Sequence, residues 1–315
     1  MVLTYFEQDV LEGLSSNQKK LSSRYFYDEI GDKIFQQIMN LDEYYLSRAE
    51  LNIFENQKDK ILDLMRPNES FRIVELGAGD GVKTKVLLSH FVEQQKRFSY
   101  SPVDISANVL DILKSNLQNE IPDLDIAPLA GDYFQVLSEL EFDSDSHNVV
   151  YFLGSNIGNF LNESAISFLS NVRENLNAGD RMLIGFDLKK DPNKILAAYN
   201  DKQGVTKSFN LNLLTRINHE MGADFDITAF SHNPVYDPAT GECRSYLMSL
   251  KDQDVHIESL EETFHFKKWE TIFVEVSKKY DLEEIGLLAE SSGFSVIENL
   301  LDDQELFTDS IWEVK

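Results

Sequence analysis

Short apolar runs alternate with helical stretches through the middle of the chain, starting near residue 71. Strands of a parallel sheet are covered on both faces, so they read as continuous apolar runs bounded by turn residues. Apolar residues that recur at helical spacing predict helices between these runs. The predicted strands are 71–76, 98–103, 124–129, 148–153 and 181–186. The predicted helices are 83–92, 107–117 and 163–176, the last with Asn162 as its N-cap. This alternation predicts an α/β fold with a parallel sheet built from right-handed crossovers.

The pattern changes after residue 188. Two helical stretches are followed by β-like segments at 227–236 and 243–250, which flank the turn-rich residues 237–241 and predict a hairpin. The end of the chain returns to the first style, with a helix at 281–290 and strands at 294–300 and 310–314. The first 50 or so residues look helical. We therefore expect one domain from 53–188 plus 280–315, and a second α+β domain, facing the substrate, from 1–52 plus 189–279.

Composition and charge exclude several classes of function. The formal net charge is −25, and such a field repels nucleic acid and anionic membrane surfaces. No apolar stretch approaches the roughly 20 residues that span a bilayer, and the N-terminus does not resemble a secretory signal. The single cysteine, Cys243, fits a reducing compartment. We expect a cytoplasmic monomer without nucleic-acid or membrane partners. The six histidines show no metal-ligand spacing, so we expect no metal.

A glycine-rich loop follows the first predicted strand. Gly77, Gly79 and Gly81 allow tight turns and a close approach of a ligand to the backbone. Val82 stands where a dinucleotide fingerprint has its third glycine, which disfavours a nicotinamide enzyme. Asp104 ends the second strand, where a carboxylate can accept both ribose hydroxyls, and Asp132 with Tyr133 follows the third, where it could accept from an adenine amino group. Ligands of such sheets lie beyond these strand ends, so the loop and acids predict an adenosine-type cofactor.

The sequence also resembles a known family. The resemblance is to the histidine-specific methyltransferases of ergothioneine biosynthesis, which trimethylate the α-amino group of L-histidine. The glycine loop occurs in many methyltransferases, whereas the tyrosine pairs and the stretch 154–159 are far more specific. The similar segments are YFYD (25–28), EYYLSRAE (43–50), VELGAG (74–79), FLGSNIGN (152–159), FDLKKDP (186–192), 205–206, 209–210, 218–226 and 271–277.

The resemblance implies a Rossmann-like class I methyltransferase sheet, a second substrate-binding domain, and S-adenosylmethionine as the cofactor. It implies cofactor binding by Gly77, Lys83, Asp104, Asp132 and Tyr133, to which the loop itself adds Gly79. For a small amino-acid substrate, it implies that Tyr44, Asn159 and Tyr199 hold the amino and carboxylate groups, and that Tyr27, Glu275 and Ser277 read the imidazole beside Phe209. We assign the catalytic roles, which orient the nitrogen lone pair, to Asn159 and Tyr44.

Alternation along the segment 273–277 supports the imidazole-reading residues independently. Glu275 and Ser277 share one face of a strand, with Val274 and Val276 on the other. A carboxylate and a hydroxyl together suit a ring whose two nitrogens differ in role, although an ordinary half-exposed strand gives the same pattern. Ser245 stands where family members carry a methionine in the substrate pocket. Another amino acid or small amine is therefore an alternative substrate, and a non-catalytic cofactor-binding module is an alternative of a different class.

Overall fold

The computed structural model describes residues 3–65, 70–132, 136–137 and 147–315. Its α-helices are α1 (Tyr5–Ser15), α2 (Glu29–Met39), α3 (Leu46–Leu64), α4 (Thr84–Glu93), α5 (Ala107–Glu120), α6 (Asn162–Glu174), α7 (Pro192–Tyr199), α8 (Val205–Met221) and α9 (Leu282–Ser291). Its strands are β1 (Phe71–Leu76), β2 (Phe98–Asp104), β3 (Asp125–Ile126), β4 (Leu129–Ala130), β5 (His147–Phe152), β6 (Arg181–Asp187), β7 (Phe230–Asp237), β8 (Glu242–Ser249), β9 (Gln253–Ile257), β10 (Glu262–Phe266), β11 (Thr271–Lys278), β12 (Phe294–Leu301) and β13 (Phe307–Val314). Short 3₁₀ helices span Ser23–Phe26, Asn156–Asn159, Ile227–Ala229 and Glu258–Leu260.

The chain forms two compact units. The large unit contains Leu46–Lys189 and Lys278–Lys315, and the small unit contains Met1–Tyr45 and Lys190–Ser277. The first boundary differs from the expected one, which cut α3 at residue 52. Helix α3 is continuous from Leu46 and buries Ala49 and Phe54 in the same hydrophobic core as Ile73 of β1, so its first turn belongs to the large unit.

The large unit is built around one mixed sheet with the strand order β12-β13-β6-β5-β1-β2-β3, and β4 also pairs with β2. Strands β2, β1, β5 and β6 run parallel, whereas β13 is antiparallel to both β6 and β12. Helices cover both faces. Helices α3, α4 and α5 pack on the face that includes Ile73 and Tyr151, and α6 and α9 pack on the face that includes Val74 and Phe152. Because neighbouring residues of each strand are buried on opposite faces, the apolar runs are continuous, and the α/β prediction is confirmed.

Two local predictions in this unit were wrong. The strand expected at 124–129 is divided into β3 and β4, because Pro128 lies between them and cannot donate a ladder hydrogen bond. The chain still follows β2 on both sides of the proline, with Tyr100 opposite Ile126 and Asp104 opposite Ala130. Asn162 is the first helical residue of α6, and the N-cap position is occupied by Leu161, which makes no side-chain cap hydrogen bond.

The small unit combines helices α1, α2, α7 and α8 with a three-stranded sheet in the order β11-β8-β7 and the hairpin of β9 and β10. The predicted hairpin around the turn 237–241 is formed by β7 and β8, with Asp237 opposite Glu242. Leu213 and Ile217 of α8 pack with Leu247 of β8 and Ile272 of β11 in one core. In the described ranges, no helix is both long and apolar enough to cross a membrane.

Candidate functional site

The glycine loop turns directly after β1, at the carboxyl end of the parallel strands. Gly77, Gly79 and Gly81 all have positive φ, at 72°, 54° and 65°, a backbone conformation that favours glycine. A β-carbon on Gly81 would lie 2.5 Å from Leu113 Cδ1, whereas one on Gly79 would meet no described atom within 4 Å. The loop is therefore packed against α5 on one side and open at Gly79, where a ligand could approach the backbone.

Asp104 fixes this loop. Its Oδ2 accepts a hydrogen bond from the Gly79 amide at 3.2 Å, and its Oδ1 accepts from the Ser106 amide at 3.0 Å. Each carboxylate oxygen can accept more than one hydrogen bond, so both remain able to accept from ribose hydroxyls. Asp132 is exposed and follows β4, which pairs with the end of β2, so it lies at the same edge of the sheet. Tyr133 lies outside the described residues.

Lys83 precedes the first residue of α4. Its ammonium group forms an ion pair with Glu50 of α3, and 24% of its side chain remains exposed. The Nζ atom lies 3.5 Å from the position that a β-carbon on Gly154 would occupy, just beyond the end of β5. This places a positive charge at the edge of the sheet where the glycine loop also lies.

Glu75 is buried in β1 immediately before the loop. It accepts hydrogen bonds from the hydroxyls of Thr84, at 2.7 Å, and Tyr100, at 2.5 Å, and so joins β1 to β2 and α4. Burial raises the pKa of Glu75 from 4.5 to about 7, although both hydroxyls and Lys83 act in the opposite direction. The carboxyl group that supports the loop therefore titrates near neutral pH.

This pKa predicts a pH dependence of stability. Because the folded-state pKa lies above 4.5, the contribution of Glu75 is full below about pH 4.5 and is lost as the pH rises through about 7. The variant Glu75→Gln cannot titrate. We expect the free energy of unfolding of the wild type to fall by about 3 kcal/mol relative to this variant between about pH 4.5 and about pH 8. Urea denaturation across this range is the measurement, and parallel pH profiles of the two proteins would contradict the prediction.

Asn159 ends the 3₁₀ turn that follows β5, and its side chain is exposed. The turn is held closely from within the large unit. Ser155 adopts a left-handed conformation, with φ 59°, and its Oγ accepts from the Asp187 amide at 3.1 Å. A β-carbon on Gly158 would lie 2.7 Å from the Lys278 carbonyl oxygen, so only glycine fits there. The sequence thus fixes the backbone that carries Asn159.

Three predicted residues of the small unit gather around an aromatic side chain that sequence reasoning missed. The ring of Phe35 lies 5.5 Å from that of Tyr27, 6.4 Å from that of Tyr44 and 5.7 Å from that of Phe209. Tyr27 and Phe209 are also in edge-to-face contact at 5.6 Å. Phe209 is buried and Tyr27 is 45% exposed, so the aromatic group extends from the core to the surface. Only the helical spacing of α2 could have indicated Phe35.

The other predicted residues of the small unit form polar contacts. The Tyr199 hydroxyl donates to Ser277 Oγ at 2.8 Å, and the Ser245 hydroxyl donates to Glu275 Oε2 at 3.4 Å. Val274 and Val276 are buried on the opposite face of β11, as the alternation predicted. Glu275 is half-buried, whereas Ser277 is 5% exposed. Ser245, the position at which the sequence departs from the resemblance, therefore directly contacts the carboxylate predicted to read the imidazole.

Comparisons with known proteins identify the family of the chain. The family model described as histidine-specific, S-adenosylmethionine-dependent methyltransferase matches residues 6–314. The histidine N-alpha-methyltransferases of Mycobacterium tuberculosis and Mycolicibacterium smegmatis are each 33% identical to this chain, over 91% and 88% of it and over 88% and 85% of their own lengths. Ergothioneine biosynthesis protein 1 of Schizosaccharomyces pombe is 30% identical over 88% of this chain and 37% of its own length. The predicted family is confirmed: the chain belongs to the histidine-specific, S-adenosylmethionine-dependent methyltransferases.

Proposed function

We propose that the protein transfers methyl groups from S-adenosylmethionine to the α-amino nitrogen of L-histidine, up to the trimethylated betaine. One observation carries the choice of histidine within this family. Glu275 and Ser277 lie on one face of β11, and each is hydrogen-bonded to a further hydroxyl, from Ser245 and Tyr199 respectively. A carboxylate accepts from the protonated ring nitrogen, and a hydroxyl can donate to the other, which is what an imidazole requires.

The residues at the edge of the large sheet fit the cofactor. The backbone at Gly79 is open to a ligand, and Asp104 presents carboxylate oxygens beside it. Ile105, which is 69% exposed, follows Asp104 and offers an apolar surface to an adenine ring. Lys83 supplies a positive charge that suits the carboxylate of the methionyl part. We propose that these residues, together with Gly77, Asp132 and Tyr133, hold S-adenosylmethionine.

The proposed work of the protein is positioning. When bound, S-adenosylmethionine supplies a methyl group on a positively charged sulfur, which keeps the electron pair as a neutral thioether when the methyl moves to nitrogen. Tyr44, Asn159 and Tyr199 hold the amino and carboxylate groups of the substrate, and Asn159 and Tyr44 orient the lone pair of the neutral amino group toward that methyl. Holding reacting groups close and aligned lowers the barrier without a strong base. The nitrogen's proton is then released to water.

Calorimetric titration of L-histidine into the protein with S-adenosylhomocysteine present tests this proposal. We expect histidine to bind selectively over the other amino acids, and mass spectrometry of the product then counts the methyl groups. If S-adenosylhomocysteine binds but histidine does not, the substrate is another amino acid or small amine. The search for that substrate would start from Ser245, which stands where family members carry a methionine. Failure of S-adenosylhomocysteine to bind would contradict the proposed cofactor site itself.

A further inference from the structure

Glu50 of α3 is a buried carboxylate to which the reaction described above gives no role. Its side chain is 0% exposed and lies on the same helix face as the apolar Ile53 and Phe54. Burying a charge costs several kcal/mol unless it is paired and hydrogen-bonded, and an apolar residue would fill such a position without that cost. The contacts of Glu50 therefore indicate the role of its buried negative charge.

Each carboxylate oxygen of Glu50 holds a different part of the candidate site. Oε2 forms the ion pair with the ammonium group of Lys83, at the start of α4. Oε1 accepts a hydrogen bond of 2.6 Å from the Gly154 amide, where the turn that carries Asn159 begins. A β-carbon on Gly185 would lie only 2.4 Å from Oε1, so the glycine in β6 makes room for this carboxylate. One side chain thus joins α3, α4 and the turn after β5.

Other ionisable groups lie close to the ion pair of Glu50 and Lys83. Burial lowers the pKa of Lys83, but the charge and hydrogen bond of Glu50, with smaller contributions from Asp309 and Glu75, raise it overall. Asp309 of β13 is also buried, and neither of its carboxyl oxygens is hydrogen-bonded within the part of the chain that the structure describes. Burial, reinforced by the charge of Glu50 and opposed by that of Lys83, raises the pKa of Asp309 well above its usual range.

We propose that Glu50 is a positioning residue for methyl transfer, which acts on the cofactor through Lys83 and on the substrate through the turn from Gly154 to Asn159. An ammonium group has three donors, so Lys83 can keep its contact with Glu50 while its exposed part meets the cofactor's carboxylate. The Gly154 amide sets where the turn leaves β5. Glu50 therefore fixes both partners of the reaction without touching either. This inference rests on the proposed function in both arms, on cofactor binding by Lys83 and on the role of Asn159 toward the substrate.

Two variants separate these arms. Glu50→Gln keeps the size and an acceptor for the Gly154 amide but loses the charge that holds Lys83. We expect the Kd for S-adenosylhomocysteine and the KM for S-adenosylmethionine to rise about tenfold, with kcat changed less than about threefold. The reason is that Lys83 loses the charged hydrogen bond to Glu50 that holds it in position for the cofactor's carboxylate. Glu50→Ala also frees the turn, so kcat should fall by about a further tenfold. In the double variant Glu50→Gln, Lys83→Met, the Kd should equal that of Lys83→Met alone.

Asp180→Asn is the matched control. Asp180 is also a buried, hydrogen-bonded carboxylate, but it directly precedes β6, at the end of that strand away from Gly185. There it accepts from the backbone amides of Asn148 and Asn177. Its loss should lower Tm and leave Kd and KM unchanged. If Glu50→Gln behaves in the same way, Glu50 is only structural and the proposal is overturned. Should that variant not fold, Glu50→Asp keeps the charge on a shorter side chain and should still weaken S-adenosylhomocysteine binding. That binding is measured without histidine, so a wrong substrate assignment does not affect it.

Discussion

Asn159→Ala should lower kcat about 100-fold while the Kd for S-adenosylhomocysteine changes less than twofold. Asn159 lies at the end of a turn that Ser155, Gly158 and the amide of Gly154 hold in place, so the backbone should not move when the side chain is shortened. What is lost is the amide group that we propose aligns the nitrogen lone pair, and a misplacement of about 1 Å can cost about 100-fold in rate. Steady-state kinetics and calorimetry give the two quantities.

The matched control for this prediction is Asn175→Ala. The Asn175 amide group, just after the end of α6, donates to the Asn171 carbonyl, and its removal should leave both kcat and Kd unchanged. An equal loss of turnover and cofactor binding in Asn159→Ala would assign Asn159 to the cofactor site. Unchanged turnover would remove it from the catalytic residues altogether.

Glu275→Gln should raise the Kd and KM for L-histidine between about 10-fold and 100-fold, with the Kd for S-adenosylhomocysteine unchanged. Glu275 is half-buried, and its carboxylate already accepts from Ser245. A hydrogen bond between a charged group and its partner contributes about 1.5–3 kcal/mol, which corresponds to this range of affinities. Titration of histidine in the presence of S-adenosylhomocysteine gives the Kd directly.

Glu262→Gln serves as the control, because Glu262 is an exposed glutamate on β10 of the same unit. It should bind histidine like the wild type. If Glu275→Gln also binds histidine like the wild type, the Glu275 carboxylate does not recognise the imidazole. The substrate would then be an amino acid with a different side chain. A loss of histidine binding with intact S-adenosylhomocysteine binding supports the assigned role.

The sequence predicts those parts of the fold in which the local composition indicates which residues are buried and where the chain turns. Strands β1, β2, β5 and β6 bury apolar residues on both faces, and the turn at 237–241 has the residues of a hairpin. An error occurred where one residue overrides the pattern, since Pro128 divides a strand. The first boundary of the compact units lies at Leu46, where the continuous helix α3 begins. The bounds of elements and domains depend on which other elements they pack against, and the local sequence pattern does not contain that information.

The candidate site divides in the same way. Gly77, Gly79 and Asp104 could be predicted because glycines and acids at strand ends form a recognisable local pattern. The buried position of Glu50 could not be predicted, because a glutamate on a helix with both polar and apolar residues is usually solvent-exposed. Its partner Gly154 is also distant in the sequence. The contact of Ser245 with Glu275 depends on how β8 and β11 come together, which only the structure provides.

The place of β13 has a consequence for how the chain is made. Strand β13 lies between β6 and β12 in the sheet, yet the ribosome synthesises it after every other described strand. Until it emerges, the β6 edge has no partner on that side, and such an edge invites pairing with other chains. The sheet is therefore completed only after translation of β13, and loss of residues 307–314 would remove an interior strand rather than fray an end. Translation that stalls before this point should yield an aggregation-prone chain.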